Sequence, residues 1–365
     1  MKKILGLVLS ICMMVTILCT PVAAATKTVS TPSEIKTAKV VIDSKLCAYN
    51  TLLSGKTILV PAQQIGKGIG ITNAKKIIFN SKKKTISMVK GKDTLLMTVG
   101  STAARLNGKK VTLDVAPYIF KNTPYVPAKS VAQAFGRKVV VDTSLNVVAI
   151  TTNASFNEVK TILTKALDSS NSCNSFSAKS RFVTEEEGEK VVVEQLVERN
   201  KKDSIVHIIS TITEDGVVEE EEQYFDTDTL YMKMLDKWYI EPMDMKTFMD
   251  SMKMNDKNVI LESTDLVIAL LAKVPSKSLK EIILQGDLFC KQTIDPTLLE
   301  IAEYTKLNVK YTIDKETMKI TGTNIVEVVK FMGIECKANS DLEIAIVDDY
   351  KIVVPEEAKS GALID

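Results

Sequence analysis

One histidine, His207, occurs in the 365 residues. Any Ser-His-Asp relay would have to pass through it, and nothing like GxSxG surrounds a serine. HExxH is absent, which removes that route to a zinc hydrolase. His207 lies in the run SIVHIIS, so a strand residue facing a sheet edge or a core gap is expected there. Glu219–Glu222 is rich in carboxylate but lacks the alternating Asp/Asn spacing of a calcium loop. On a strand at most two of the four share a face, so a solvated edge is expected. Glu185–Glu187 and Asp348-Asp349 read the same way. Gly66-Lys67-Gly68 with Gly70 looks like a phosphate loop, but it sits inside a repeated helix and reads as close packing. A carboxylate pair for glycoside hydrolysis is not recognisable without a fold, so a wall hydrolase stays open as the enzyme alternative. The expectation is a protein that is not an enzyme and uses no metal and no cofactor.

Two groups of residues are candidates for binding. Trp238, Tyr239, Met245, Met249 and Met252 lie close in sequence, flanked by Met243 and Met254. Thioether side chains adapt to irregular apolar partners, so these line a lipid cavity or fill an ordinary core. Aromatic content is low, 5% with one Trp, which argues against an aromatic-rich cleft. The second group is Lys82, Lys83, Lys84, Lys109 and Lys110. They belong to a charge division that the overall balance of +2 hides. Residues 26–153 hold 20 Lys and Arg against 5 Asp and Glu, while residues 154–365 hold 25 against 40. A basic half in an exported chain suggests anionic wall polymer or lipid headgroups; nucleic acid is the weaker partner, because the compartment is wrong. Lysines that merely keep a small domain soluble are the alternative.

Export is read from the first 25 residues. Lys2 and Lys3 precede an apolar run over 4–18, then Ala23-Ala24-Ala25, the form of a secretory signal cut after Ala25. A lipid anchor at Cys19 and an uncut signal anchor are the competing readings. The apolar run is short for a membrane span, and nothing after residue 25 is long enough. Cys47, Cys173, Cys290 and Cys336 follow, with no CxxC; they allow three pairings or none.

The elements that must position these residues begin with a repeat. LVPAQQIGKGIG (59–70) returns as YVPAKSVAQAFG (125–136), 66 residues on. Proline presets the start of a helix and glycine suits the left-handed residue that ends it. Ile65 with Ile69, and Val131 with Phe135, give each helix one apolar stripe. A turn precedes each copy, at Ser54–Thr57 and Lys121–Thr123, and a hairpin follows, over 77–88 and 139–150. Lys82–Lys84 occupy the first hairpin's turn, and Asn107-Gly108 is the strongest turn signal in the chain.

The doubled Val-Pro-Ala, helix and Gly, the strands containing Asn80 or Asp142, and the Leu106-Asn107-Gly108 hairpin resemble the copper amine oxidase N-terminal-like domain, or stalk domain, of exported Gram-positive proteins. The resemblance covers roughly 39–150 and implies a noncatalytic module of strands and short helices. Amine oxidation itself needs several histidines on copper, and this chain has one.

Residues 26–38 read as a polar, mobile leader and 151–158 as a linker. An amphipathic helix follows, with Phe156, Val159, Ile162, Leu163 and Leu167 on one face, broken at Asn171–Ser175. Strand patterns cover 176–186, 190–199, 204–213, 219–225, 230–235 and 237–242, an antiparallel meander. Helical patterns cover 245–254, 263–274 with Ser263 as N-cap, 279–286 and 296–306. Strands return at 307–314, 318–323, 324–331, 342–349 and 351–360. The leading helix, paired strands, Tyr224, Tyr231-Met232-Lys233, Trp238 and the closing IVVPEEA resemble the exported LolA-like and LppX-like carrier fold. That resemblance implies a curved antiparallel sheet wrapped on helices around an apolar cavity.

The expected fold is α+β: a signal at 1–25, a leader at 26–38, a duplicated stalk domain at 39–153 and a sheet-plus-helices domain at 154–365. The expected function is a noncatalytic, extracytoplasmic, envelope-associated protein. Its basic domain meets an anionic surface and its acidic domain binds a partner; the alternative is a carrier of lipid or lipoprotein.

Overall fold

The computed structural model describes residues 33–35, 38–143, 145–173, 175–186, 189–200, 202–214, 216–242, 264–288, 302–331, 334–346 and 351–363. They form two compact units. One holds the described residues up to Thr161 and those of Ser263–Ala272; the other holds those from Ile162 onward apart from that stretch. Among the described residues no helix is long and apolar enough to cross a membrane.

The first unit runs β1 (Ser33–Ile35), β2 (Lys39–Ile42), β3 (Lys45–Cys47), β4 (Thr51–Ser54), β5 (Thr57–Pro61), α1 (Ala62–Gly68), β6 (Ile77–Asn80), β7 (Thr85–Lys90), β8 (Asp93–Thr98), β9 (Ala103–Leu106) and β10 (Lys109–Thr112). Then come β11 (Tyr118–Phe120), β12 (Thr123–Pro127), α2 (Ala128–Ala134), β13 (Arg137–Asp142), β14 (Val147–Thr152) and the start of α3 (Asn153–Asn171), whose residues from Ile162 belong to the second unit. Three sheets result, ordered β1-β4-β5-β12-β11, β10-β9-β8-β7-β6 and β13-β14-β2-β3. The repeat explains the central pairing. Strands β5 and β12 are antiparallel with Val60 opposite Val126, Pro61 opposite Tyr125 and Leu59 opposite Pro127. Residues 60 and 126 are equivalent in the repeat, so a local twofold axis passes between them. Both valines are fully buried.

Each helix begins directly after its proline and is left through a glycine of positive φ, Gly70 at 99° and Gly136 at 73°. Ile65, Ile69, Val131 and Phe135 are buried as their spacing predicts. Gly66 and Gly68 let α1 press onto the hairpins: a Cβ on Gly66 would strike Ile77, and one on Gly68 would strike Ile42. The Tyr49 hydroxyl donates to the Gln64 carbonyl at 3.0 Å, and burial, with the Cys47 thiol beside it, pushes that phenol's pKa up. Asn107 and Gly108 both take positive φ, and the Asn107 side chain ties the turn to Thr94 and Asp93.

Two expectations fail here. Residues 33–35 of the supposed leader are a strand paired with β4. The supposed linker is absent, because β14 runs to Thr152 and α3 starts at Asn153. Val147–Thr151 are all buried, which keeps that stretch in the sheet.

The second unit continues with β15 (Ser175–Glu186), β16 (Glu189–Asn200), β17 (Ile205–Glu214), β18 (Val217–Phe225), β19 (Thr229–Met234) and β20 (Lys237–Pro242). After α4 (Asp265–Leu270) come β21 (Leu271–Val274), β22 (Glu281–Leu288), β23 (Ala302–Asp314), β24 (Ile320–Phe331), β25 (Ile334–Ile346), α5 (Glu356–Lys359) and β26 (Ala362–Leu363). One large curved sheet takes them in the order β21-β22-β23-β24-β25-β15-β16-β17-β18-β19-β20-β26. The protein is mostly β, so α+β fits it loosely. Helix α4 belongs to the first unit, lying on β13 and β14 with Asp265 3.9 Å from Lys138.

The meander is where the sequence places it, but several later elements differ. Residues 281–286 are strand, not helix, because the run Ile282-Ile283-Leu284 suits a buried strand equally well. Residues 302–306, read as helix, open β23, and of 318–331, read as two strands, residues 320–331 give the single strand β24. The helix over 263–274 shrinks to Asp265–Leu270 and continues as β21; its cap is Thr264, whose hydroxyl accepts from the Val267 N–H at 3.2 Å. Residues 351–355 are irregular and α5 follows, because Pro355 suits a helix entrance. The helix expected at 245–254 lies outside the described residues.

Candidate functional site

Side chains alternate across a strand, so the register sorts the large sheet into two faces. On one face Ala178 aligns with Val197, Ile208 and Ile344. Phe182 aligns there with Val193 and Ile212, and Phe176 with Val206 through Arg199. At the β22–β24 end this face is closed: Leu284, Val309, Tyr311 and Ile313 are at most 1% exposed. Helix α3 reaches that end, where the Ser170 hydroxyl accepts from the Ile320 N–H at 2.9 Å. Across β15–β17 and β25 the same face stays half-buried at Phe182, Val197, Ile208, Ile212, Leu342 and Ile344. A polar row crosses it, with Ser180 opposite Gln195, Gln195 opposite Ser210 and Ser210 opposite Glu221.

The other face is polar in the middle, with Lys179, Arg181, Glu194, Asp341 and Glu343 exposed. Towards β20 it carries a buried array. His207 lies between two carboxylates, its Nδ1 2.9 Å from Glu198 and its Nε2 3.2 Å from Glu222. Both contacts are hydrogen bonds at once when both ring nitrogens carry hydrogen. The ring stacks on Tyr224 at 4.2 Å, and the Tyr224 hydroxyl donates to Glu222. The two nitrogens point away from each other, so this array does not converge on one ion. Among the described residues no group of His, Cys, Asp and Glu is placed to hold a metal. Beside it Trp238 packs with Tyr224, Tyr231, Ile352, Val354 and Ala358.

The residues singled out from sequence do not form one site. Trp238 is 9% exposed within that packed cluster, while Tyr239 sits on the opposite, apolar face. Met245, Met249 and Met252 lie outside the described residues. Lys82–Lys84 and Lys109-Lys110 are all exposed but are not brought together. The β6–β7 turn and the start of β10 stand at opposite ends and opposite edges of their sheet. Cys47 and Cys173 are free thiols. His207 is not at an edge: its strand is paired on both sides. An apolar side to the sheet is expected from the carrier-fold resemblance, but the residues that form it are not named there, although Phe176, Ala178, Ser180 and Phe182 against Ser177, Lys179, Arg181 and Val183 already alternate with period two.

Residues 26–150 match the copper amine oxidase N-terminal domain family. Among solved structures, the second half is similar to lipoprotein LppX of Mycobacterium tuberculosis, at 9% identity and a TM-score of 0.35, over 54% of this chain and 99% of that one. LprF from Mycobacterium bovis is similar at 13% identity and TM-score 0.35, over 55% and 96%. A putative outer membrane lipoprotein-sorting protein domain from Vibrio parahaemolyticus follows at 8% and 0.21, over 54% and 95%. No curated protein matches the chain. Likenesses this weak leave the functional argument to the residues.

Proposed function

We propose that this is a noncatalytic, extracytoplasmic binding protein that holds an apolar ligand against the half-buried face of its large sheet. The observation that carries the reading is that face: over four adjacent strands, β25 and β15–β17, aliphatic and aromatic side chains flank a single polar row, yet most of them stay half-buried. Covering such a surface with an alkyl chain contributes about 0.8 kcal/mol per buried methylene. Association of the basic unit with anionic wall polymer or headgroups draws on its net charge, since Lys82–Lys84 and Lys109-Lys110 do not gather into one patch. The apolar face is the stronger ground, and no nucleic acid is called for. The test uses the fluorescence of phenylnaphthylamine, a neutral apolar probe, with the whole protein. Ile208→Glu is expected to weaken binding at least about tenfold, because a charge has to be desolvated there. Thr211→Glu, on the same strand but facing away, is expected to leave binding unchanged. An unbound probe, or equal losses in both variants, would contradict the reading.

A further inference from the structure

The polar row across the apolar face is built into the register rather than scattered over it. Ser180, Gln195, Ser210 and Glu221 stand side by side on four neighbouring strands. Ser210 is 8% exposed, and its hydroxyl oxygen accepts from the Gln195 amide at 3.0 Å. That bond orders the row and leaves the serine's own proton to give. Glu221 ends the row, directly opposite Ser210, half-buried and without a hydrogen bond or ion pair among the described residues. Burial, and then the nearby Glu219, push its carboxyl above the usual range. Glu222, next in the chain, faces the other way and is engaged with His207 and Tyr224. The described charged groups on Glu221's own face are Glu219 beside it, Glu214 on β17, Arg199 on β16, and Lys237 and Glu241 on β20. The nearest cation by strand order, Lys237, is exposed and two strands away, about 10 Å in sheet spacing. A carboxylate held this way on an apolar surface is stabilised by a cation that brings its own hydrogen-bond donors.

We propose that the ligand of this face is an amphiphile with a cationic amine head, seated with its head on Glu221 and Ser210 and its chain along the aliphatic rows beside them. This rests on the apolar face being a binding surface. The test compares dodecylamine, dodecanol and dodecanoate, each below its micelle concentration, as competitors of phenylnaphthylamine on the whole protein. The amine is expected to compete about tenfold better than the alcohol, with the carboxylate weakest. Glu221→Gln is expected to bring the amine down to the alcohol's level and leave the alcohol unchanged, which also shows that the variant is folded. The amine's advantage should shrink as pH falls, because a protonated Glu221 carries no charge. Equal competition by all three in the wild type, a carboxylate preference, or an amine preference that survives Glu221→Gln would overturn the proposal and leave the apolar face standing. Competition by none of them would instead remove the apolar-face reading itself.

Discussion

Glu222 lies 3.2 Å from the His207 ring and accepts from the Tyr224 hydroxyl at 3.0 Å, and Glu198 closes the ring's other side at 2.9 Å. The imidazole stands between the two carboxylates, within hydrogen-bond distance of each, on one sheet face. Removing it takes one hydrogen-bond partner from each of Glu198 and Glu222 in a partly desolvated place. His207→Ala is therefore expected to destabilise the fold by about 1–3 kcal/mol, read as a lowered urea midpoint at unchanged slope. An unchanged midpoint would mean the array is ornamental to stability. The sequence places His207 on a strand, and rightly. Its partners lie 9 and 15 residues away, on the strands to either side, and become neighbours through register alone. Nothing in the local pattern of SIVHIIS names them.

At the scale of elements, the segment after residue 350 shows how a short stretch can be fixed by contact rather than by pattern. Ile352, Val354 and Ala358 bury themselves with Trp238 and Tyr224, and β26 then pairs in parallel with β20. Gly361 permits the crossing, since a Cβ there would meet the Trp238 backbone at 2.8 Å. Backbone cannot swing aside as the end of a long side chain can. Gly361→Ala is thus expected to loosen the segment over Trp238. The chain has one tryptophan, so its fluorescence reports this directly. Emission should shift to the red and acrylamide quenching should rise several-fold, whereas a wild-type spectrum would contradict the packing argument. The hairpins of the first unit and the meander of the second were readable because alternation and turn residues agree locally. KIVVPEEAKS was misread as strand because Ile352 and Val354 alternate as strand residues do. LKEIILQG was misread as helix because eight residues do not separate a buried strand from a helix. The leader's residues 33–35 offered no apolar period, and pairing with β4 decided them.

At the scale of the whole chain, the duplication and the charge division were both legible, because each is a property of sequence alone. The twofold relation between β5 and β12 follows from the repeat once the strands pair. The return of α4 to the first unit was not legible, since a six-residue helix carries no mark of the sheet it will rest on. The binding face was half legible: the alternation was there, but its extent depends on which strands stand side by side. The central claim is that this face, and not its reverse, receives an apolar chain. Photolabelling with an alkyl diazirine, read by peptide mass spectrometry to single residues, tests it most directly. The account predicts adducts at Phe182, Val197, Ile208 and Ile212, with Arg181, Leu196, Ile209 and Thr211 left unlabelled. Adducts alternating the other way along these strands, or equal labelling of both faces, would contradict it.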